Sequence, residues 1–305
     1  MSPSIDDLRH FLEIDDLSPG ELARVLELSA DRGPAILASR TVAYYFEKPS
    51  LRTRHSAEAA AVHLGAHPVT FNSGEVSIGT REPATDVARV LSGYHALLGA
   101  RVFDQRLLDD LASVATVPVV NLLSDLGHPC QALADLLTMR QEWGTLSGRT
   151  VAWIGDFNNV ARSLSLGAAM TGMQVRLGCP PGYGPSDEDL DRLRLAGLDD
   201  VVVTDRAAEA ADGADALHTD VWASMGQESE AATRHQAFEG FQVDDEVMAA
   251  APETAIFMHC LPAHRGEEVA ASVADGSQSR MIGQAHNRMH AMIGLFRWLH
   301  EVGSL

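Results

Sequence analysis

Thr41-Val42-Ala43-Tyr44-Tyr45-Phe46-Glu47-Lys48-Pro49-Ser50-Leu51-Arg52-Thr53-Arg54-His55-Ser56 runs from an apolar segment through a turn into two arginines spaced two apart. The β-branched and aromatic run predicts a buried strand, and Pro49-Ser50 predicts the turn that ends it. A strand that stops there and opens a helix at Thr53 or Ser56 aims backbone N–H groups, hydroxyls and guanidiniums at one spot. Such a spot suits a phosphate. Read alone, Ser50–Arg54 is equally compatible with an ordinary capped helix start carrying two surface arginines. The formal net charge of −19 tips the balance, because a local cationic spot in so acidic a chain points to an anionic ligand.

Working outward from this stretch, strand-like and helix-like patterns alternate. A helix is expected at 19–30, the strand at 41–46, a helix at 57–64, a short strand at 69–71, a helix at 84–94 and a strand at 96–103. A helix at 105–112, a strand at 117–122 and a long helix at 132–143 follow, and the domain junction is expected within that last helix. Alternation resumes with strands near 150–154, 174–177, 200–204, 216–219 and 255–258. Helices are expected between them, an irregular polar stretch at 225–238, and a closing helix at 287–300. Strands joined by crossover helices predict an α/β fold of doubly wound parallel sheets with ligands at the carboxyl ends of the strands. Arg101, Asn121 and His128 fall near such ends.

Composition narrows the class. The 305 residues fit two domains, and 46% hydrophobic with 21% charged residues is ordinary for a globular protein. No apolar run reaches the roughly 18 residues of a membrane span, and the acidic N-terminus lacks a secretory pattern. A cytoplasmic location is expected. Cys130, Cys179 and Cys260 make an odd set expected to stay as free thiols. A pI near 4.9 disfavours nucleic acid and anionic membranes, leaving small molecules as the expected partners.

Further motifs lie at other strand ends. His128-Pro129-Cys130-Gln131 brings an imidazole and an amide suited to a carbonyl and an NH₂ group. Asp220-Val221-Trp222-Ala223-Ser224-Met225-Gly226 offers a carboxylate and a hydroxyl suited to an ammonium group, although a capping Asp in a loop is the plainer reading. Gly155-Asp156-Phe157-Asn158-Asn159 occupies the turn where a dinucleotide-binding protein would carry Gly-x-Gly-x-x-Gly; those glycines are missing, and Asn side chains at that turn can instead bind a carboxylate near the helix N-terminus. His259-Cys260-Leu261-Pro262-Ala263-His264-Arg265-Gly266 gathers a thiol, two imidazoles and a guanidinium, yet lacks the spaced ligand pairs of a structural zinc site. No metal and no cofactor are expected. Asn287-Arg288-Met289-His290 opens the last helix.

In this order, Ser-Leu-Arg-Thr-Arg, His-Pro-Cys-Gln, Asp-x-x-x-Ser-Met-Gly, His-Cys-Leu-Pro-Ala-His-Arg-Gly and Asn-Arg-Met-His resemble the ornithine carbamoyltransferases over almost the whole chain. The resemblance implies two α/β domains joined by two helices, with the active site in the cleft and at the interface of a homotrimer or a multiple of trimers. It assigns 1–135 to carbamoyl phosphate, 136–280 to ornithine, and 281–305 to a helix returning to the first domain. Ser50, Leu51, Arg52, Thr53 and Arg101 would hold the phosphate. Thr53, Arg101 and His128 would face the carbonyl oxygen, and Gln131, Arg288 and the Leu261 backbone the carbamoyl nitrogen. Asn159, Asp220, Ser224 and Met225 would grip ornithine, with Cys260 near its δ-amine. Arg101, His128, Asp220, Cys260 and Arg288 form the implied catalytic set. Three positions depart from the family pattern: His286 stands where Glu is usual, Gly127 replaces a bulky aromatic and Ala57 a Phe. They keep open a paralogue acting on a modified ornithine or another amine, and the fold pattern alone keeps open a nicotinamide-dependent oxidoreductase.

Overall fold

A computed structural model describes residues 8–198, 200–223 and 230–305. The chain divides into two compact units, Met1–Ala134 with His286–Leu305, and Asp135–Ala285.

In the first unit the elements run α1 (Pro19–Leu28), β1 (Thr41–Phe46), α2 (Leu51–His63), β2 (His67–Asn72) and α3 (Ala84–Ser92). They continue with β3 (Leu98–Arg101), α4 (Gln105–Ala112), β4 (Val119–Leu123) and α5 (Pro129–Trp143), whose last residues belong to the second unit. The four strands form one parallel sheet in the order β2-β1-β3-β4. Strand alternation sorts β1 onto two faces. Ala43 and Tyr45 join the core beneath α3 and α4 with Ala84, Val87, Leu108 and Leu111, whereas the Tyr44 hydroxyl donates to the Ala57 carbonyl of α2 at 3.0 Å. Burial on both faces explains why β1 reads as a continuous apolar run. The Tyr44 ring also requires glycine at position 99, since a Cβ there would meet Tyr44 Cδ1 at 2.7 Å.

The second unit contains β5 (Thr150–Ile154), α6 (Asn159–Met170), β6 (Gln174–Gly178), α7 (Asp187–Leu195), β7 (Val202–Thr204), α8 (Ala207–Ala211) and β8 (Ala216–Thr219). Then come α9 (Ala231–Ala237), α10 (Asp245–Ala250), β9 (Ile256–His259) and α11 (Ala271–Ala274). The final helix α12 (Met281–Glu301) starts in this unit and ends in the first. The sheet is parallel throughout, in the order β7-β6-β5-β8-β9. Ala152, Ile154, Leu217 and Phe257 anchor its core against Ala207, Val247 and Val273.

Both sheets reverse their winding direction once, between β1 and β3 in the first and between β5 and β8 in the second. At such switch points the loops leaving adjacent strands diverge to opposite faces and open a crevice at the carboxyl ends. The quoted Ser50 turn and Arg101 lie at the first, the Gly155–Asn159 turn and Asp220 at the second. The elements depart from expectation in a few places. Helix α2 starts at Leu51, two residues before the earlier expected opening at Thr53 and six before the apolar helical pattern at Ala57, and α12 starts at Met281, six before the expected Asn287. Part of the stretch read as irregular is α9. No helix among the described residues is long and apolar enough to cross a membrane.

Candidate active site

The first cluster is built on α2. Ser50 is its N-cap, in extended backbone conformation, and Ser50 Oγ accepts from Thr53 N at 3.3 Å. This satisfies one of the helix's orphan N–H groups and leaves the others at the Leu51–Arg52 turn aimed outward with the positive end of the helix dipole. Leu51 is exposed and Arg52 half-buried, whereas Thr53 is buried one turn into the helix.

Around Thr53 four polar side chains from distant parts of the sequence converge. Arg101, at the end of β3, donates through Nη1 to Thr53 Oγ1 at 3.3 Å. Arg288 in α12 donates through Nη2 to the same oxygen at 3.0 Å and through Nη1 to Gln131 Oε1. Gln131, Arg288, Thr53, Arg101 and His128 are all at least nine-tenths buried. Burial pushes the His128 imidazole well below the ordinary 6.5, and the positive charges of Arg288, Arg101 and Arg52 push it further the same way. His128 is therefore neutral at pH 7, in a spot whose field favours an anion. Cys130, two residues on, is buried, donates to the Asn121 carbonyl at 3.2 Å and is pushed up to a pKa of about 12 by burial, which makes it an inert thiol.

The second cluster sits at the β5/β8 switch. Gly155 has φ 130°, a conformation open to glycine but strained for other residues, and turns the chain into α6. Asn158 caps that helix, its Oδ1 accepting from Val160 N at 2.9 Å and Ala161 N at 3.1 Å. Its other end is also used: Asn158 Nδ2 donates to Asp220 Oδ2 at 3.0 Å. Asp220 Oδ1 accepts from Val221 N at 2.8 Å and from Cys260 Sγ at 2.9 Å. Asn159, the residue named in the sequence reading, is the half-buried first residue of α6. Ser224 and Met225 lie outside the described residues.

Behind Cys260 runs a buried polar chain. His259 Nδ1 accepts from Leu261 N at 2.8 Å, which places the ring proton on Nε2, facing Glu268 Oε1 at 3.1 Å. His259 N donates to Gln284 Oε1 at 2.9 Å, and Gln284 Nε2 donates to Asp135 Oδ1 at 2.7 Å. Leu261 has φ 61°, an unusual value for a branched residue, so its backbone is held in a set orientation by these neighbours. Arg234 of α9 is buried against the rings of Tyr183 and Phe238, with its guanidinium carbon 4.9 and 5.2 Å from their centroids. It donates to the Trp222 carbonyl and the Asp156 carboxylate.

Arg234, Glu268 and Gln284 carry no signal in the sequence reading, and of the two Asn residues in the 155–159 turn only Asn159 is expected in the site. Asn158 stood within a quoted turn, and its place just before α6, four residues past the β5 end, was the available signal. Nothing in the local pattern marked Arg234, Glu268 or Gln284, whose contacts with Asp156, His259 and Asp135 span 78, 9 and 149 residues of chain.

Comparison with known proteins divides along the same lines. Residues 9–141 match the family described as "Aspartate/ornithine carbamoyltransferase, carbamoyl-P binding domain", and residues 147–299 match its "Asp/Orn binding domain". The chain is 49% identical over 301 residues to an ornithine carbamoyltransferase of Acidothermus cellulolyticus, covering 96% of each. Its fold superposes on the ornithine carbamoyltransferase of Pyrococcus furiosus with a TM-score of 0.90 at 40% identity, covering 94% of this chain and 96% of that one. The anabolic ornithine carbamoyltransferase of Campylobacter jejuni gives a TM-score of 0.91 at 32% identity, with 96% and 99% covered.

Proposed function

The chain belongs to the aspartate/ornithine carbamoyltransferase family, and from this premise we propose that it transfers the carbamoyl group of carbamoyl phosphate to the δ-amine of L-ornithine. The products are L-citrulline and phosphate, in arginine synthesis. The observation that carries the reading is Thr53 Oγ1, which receives both the Arg101 and the Arg288 guanidinium, with Gln131 on Arg288 and a neutral His128 alongside.

That cluster fits carbamoyl phosphate group by group. The α2 N-terminus, Ser50, the Leu51 backbone, Arg52 and Thr53 take the phosphate; Arg101 and the neutral His128 polarise the carbonyl oxygen; Gln131 and Arg288 orient the carbamoyl end. As the amine attacks, negative charge grows on the carbonyl oxygen and then on the departing phosphate. Fixed cations and donors that need no reorganisation lower that barrier. In the second unit, Asp220 meets the cationic amino-acid ligand, Asn158 fixes the carboxylate's orientation, and Asn159 with Ser224 and Met225 completes the grip on ornithine. Cys260, tied to Asp220, lies with it toward the δ-amine.

The attacking amine must be neutral, and an alkylamine of pKa about 10.4 is mostly protonated at pH 7. At subsaturating ornithine the rate therefore climbs from pH 6.5 toward 9. Family likeness further supports a cytoplasmic homotrimer, which sedimentation and fractionation would check. The deciding assay measures citrulline from carbamoyl phosphate with ornithine, putrescine, N-acetylornithine or hydroxyornithine as acceptor. Ornithine should give the largest kcat/KM, and Arg52→Ala should lose most of it through carbamoyl phosphate. Faster turnover of another acceptor, or a flat pH profile, would refute the reading.

A further inference from the structure

Beyond β9, on the far side of His259 from the Leu261 amide, a second group of ligand-type side chains gathers. His264, Glu267 and Glu268 bring one ligand atom each to within 4.8 Å of one another. His264 Nδ1 stands 3.6 Å from Glu267 Oε2 and 3.9 Å from Glu268 Oε2. These separations are too long for hydrogen bonds. They lie near the ligand-to-ligand edge of about 3.4 Å that a tetrahedral centre with bonds of about 2.1 Å would have.

Glu268 gives the group its direction. The side chain is fully buried, and its two oxygens have different environments. Oε1 meets His259 Nε2 at 3.1 Å and accepts from His264 N. Oε2 is also buried and has no hydrogen-bond partner. A buried carboxylate oxygen without a donor is costly, and a cation at that point would relieve the cost. The open oxygen faces the His264 side of the cluster.

A second imidazole approaches from α9. His235 Nε2 lies 3.2 Å from Glu267 Oε2, and its Nδ1 faces the Ala231 carbonyl at 2.8 Å. Donation to that carbonyl puts the proton on Nδ1 and leaves Nε2 with a lone pair, the arrangement by which backbone carbonyls prepare histidines for metals. A lone pair set against a carboxylate repels unless a proton or a metal ion lies between them. One imidazole and two carboxylates, with a second imidazole in reach, match the donor preferences of zinc and its first-row neighbours, and not those of magnesium or calcium.

We propose that His264, Glu267 and Glu268 form a binding site for a divalent transition-metal ion of the zinc class, with His235 as a further donor. Such an ion ties α9 to the loop that follows β9. A rival location exists, because Asp220, His259 and Cys260 also place ligand atoms within 4.8 Å of one another. The test must separate the two.

Full-length protein stripped of metal is titrated with Co²⁺ alone, followed by visible absorption and by calorimetry. It is run as wild type and as Cys260→Ser, Glu267→Gln and His264→Asn, with circular dichroism confirming the fold of each. The proposal expects one ion per chain, bound by Cys260→Ser as tightly as by wild type and without thiolate charge-transfer bands. Glu267→Gln and His264→Asn should each weaken it at least about tenfold, as losing even a supporting group does at metal sites. Binding that vanishes in Cys260→Ser assigns the ion to the other cluster and overturns the proposal. So does binding that survives unchanged in both Glu267→Gln and His264→Asn, or no binding at submillimolar Co²⁺.

Discussion

His128 shows how one side chain's surroundings decide both its chemistry and its cost. Buried and facing Arg288, Arg101 and Arg52, it titrates well below 6.5 in the folded protein. It therefore acts at pH 7 as a neutral hydrogen-bonding group, and a reading in which it supplies a proton as imidazolium is excluded. The same shift has a stability consequence whose sign is fixed. Above about pH 6.5 the imidazole is neutral in both folded and unfolded chains, and no penalty arises. As pH falls below that value the unfolded chain takes up a proton that the folded chain refuses. Stability then drops by about 1.4 kcal/mol per pH unit until the lower folded pKa is reached. Replacing His128 by Gln removes the titration while leaving an amide of similar reach. Denaturant midpoints at pH 7.0, 6.0 and 5.0 should thus converge, the variant losing its disadvantage as acid is added. A gap between the two proteins that stays constant over this range would contradict the assignment. Three half-buried histidines, His10, His95 and His290, are shifted down as well, but they are common to both proteins and cancel in the difference.

At the scale of elements, helix starts hold the chemistry, and they are also where sequence patterns read least well. The strand β1 was legible because both its faces are buried, which leaves an unbroken apolar run. The start of α2 was legible only through its Ser/Thr capping pattern, because Leu51, Arg52, Arg54 and His55 are exposed or half-buried and carry none of the apolar period that marks Ala57, Ala60 and Ala61 as core. The start of α12 escaped for a related reason: Gln284, Asn287 and Arg288 are buried polar residues, so periodicity fails on the face that matters. What could be read was the ordered set of motifs that carries the family likeness; what could not was that Thr53 and Arg288, 235 residues apart, share a hydrogen bond. Asn158 makes the point testable for α6. It serves the helix through Oδ1 and Asp220 through Nδ2, and the two duties separate by substitution. Asn158→Ala loses the cap, about 1 kcal/mol, and also frees Asp220, so melting temperature falls and the ornithine KM rises. Asn158→Asp keeps the cap yet sets a second carboxylate about 3 Å from Asp220, where two like charges resist joint ionisation. Its melting temperature should stay near wild type while its ornithine KM rises and its pH dependence changes. If Asn158→Asp binds ornithine normally, the Nδ2 contact has no role in the site.

For the whole molecule the governing quantity is charge of opposite sign at two length scales. Forty-two acidic against 23 basic side chains give the formal −19, yet Arg52, Arg101 and Arg288 make the field at His128 positive. Carbamoyl phosphate approaching from bulk water meets the first field before the second. Ionic strength separates them, because the screening length is about 30 Å at 0.01 M salt, 8 Å at 0.15 M and 3 Å at 1 M. At the lowest salt the distant acidic surface still repels the anion. Near physiological salt that repulsion is screened, while the attraction of Arg52, Arg101 and Arg288 at the proposed phosphate site, acting within a Debye length, is not. Toward molar salt, screening and anion competition weaken the arginines as well. The KM for carbamoyl phosphate should accordingly fall and then rise across this series, with its minimum at intermediate salt. Cationic ornithine feels an attractive field from the acidic surface and from Asp220 alike, so its KM should only rise. Steady-state kinetics at fixed pH, with one substrate varied and the other saturating, distinguishes the two shapes. A carbamoyl phosphate KM that climbs from the lowest salt onward would mean that the local arginines dominate at every distance and that the net charge has no part in substrate capture.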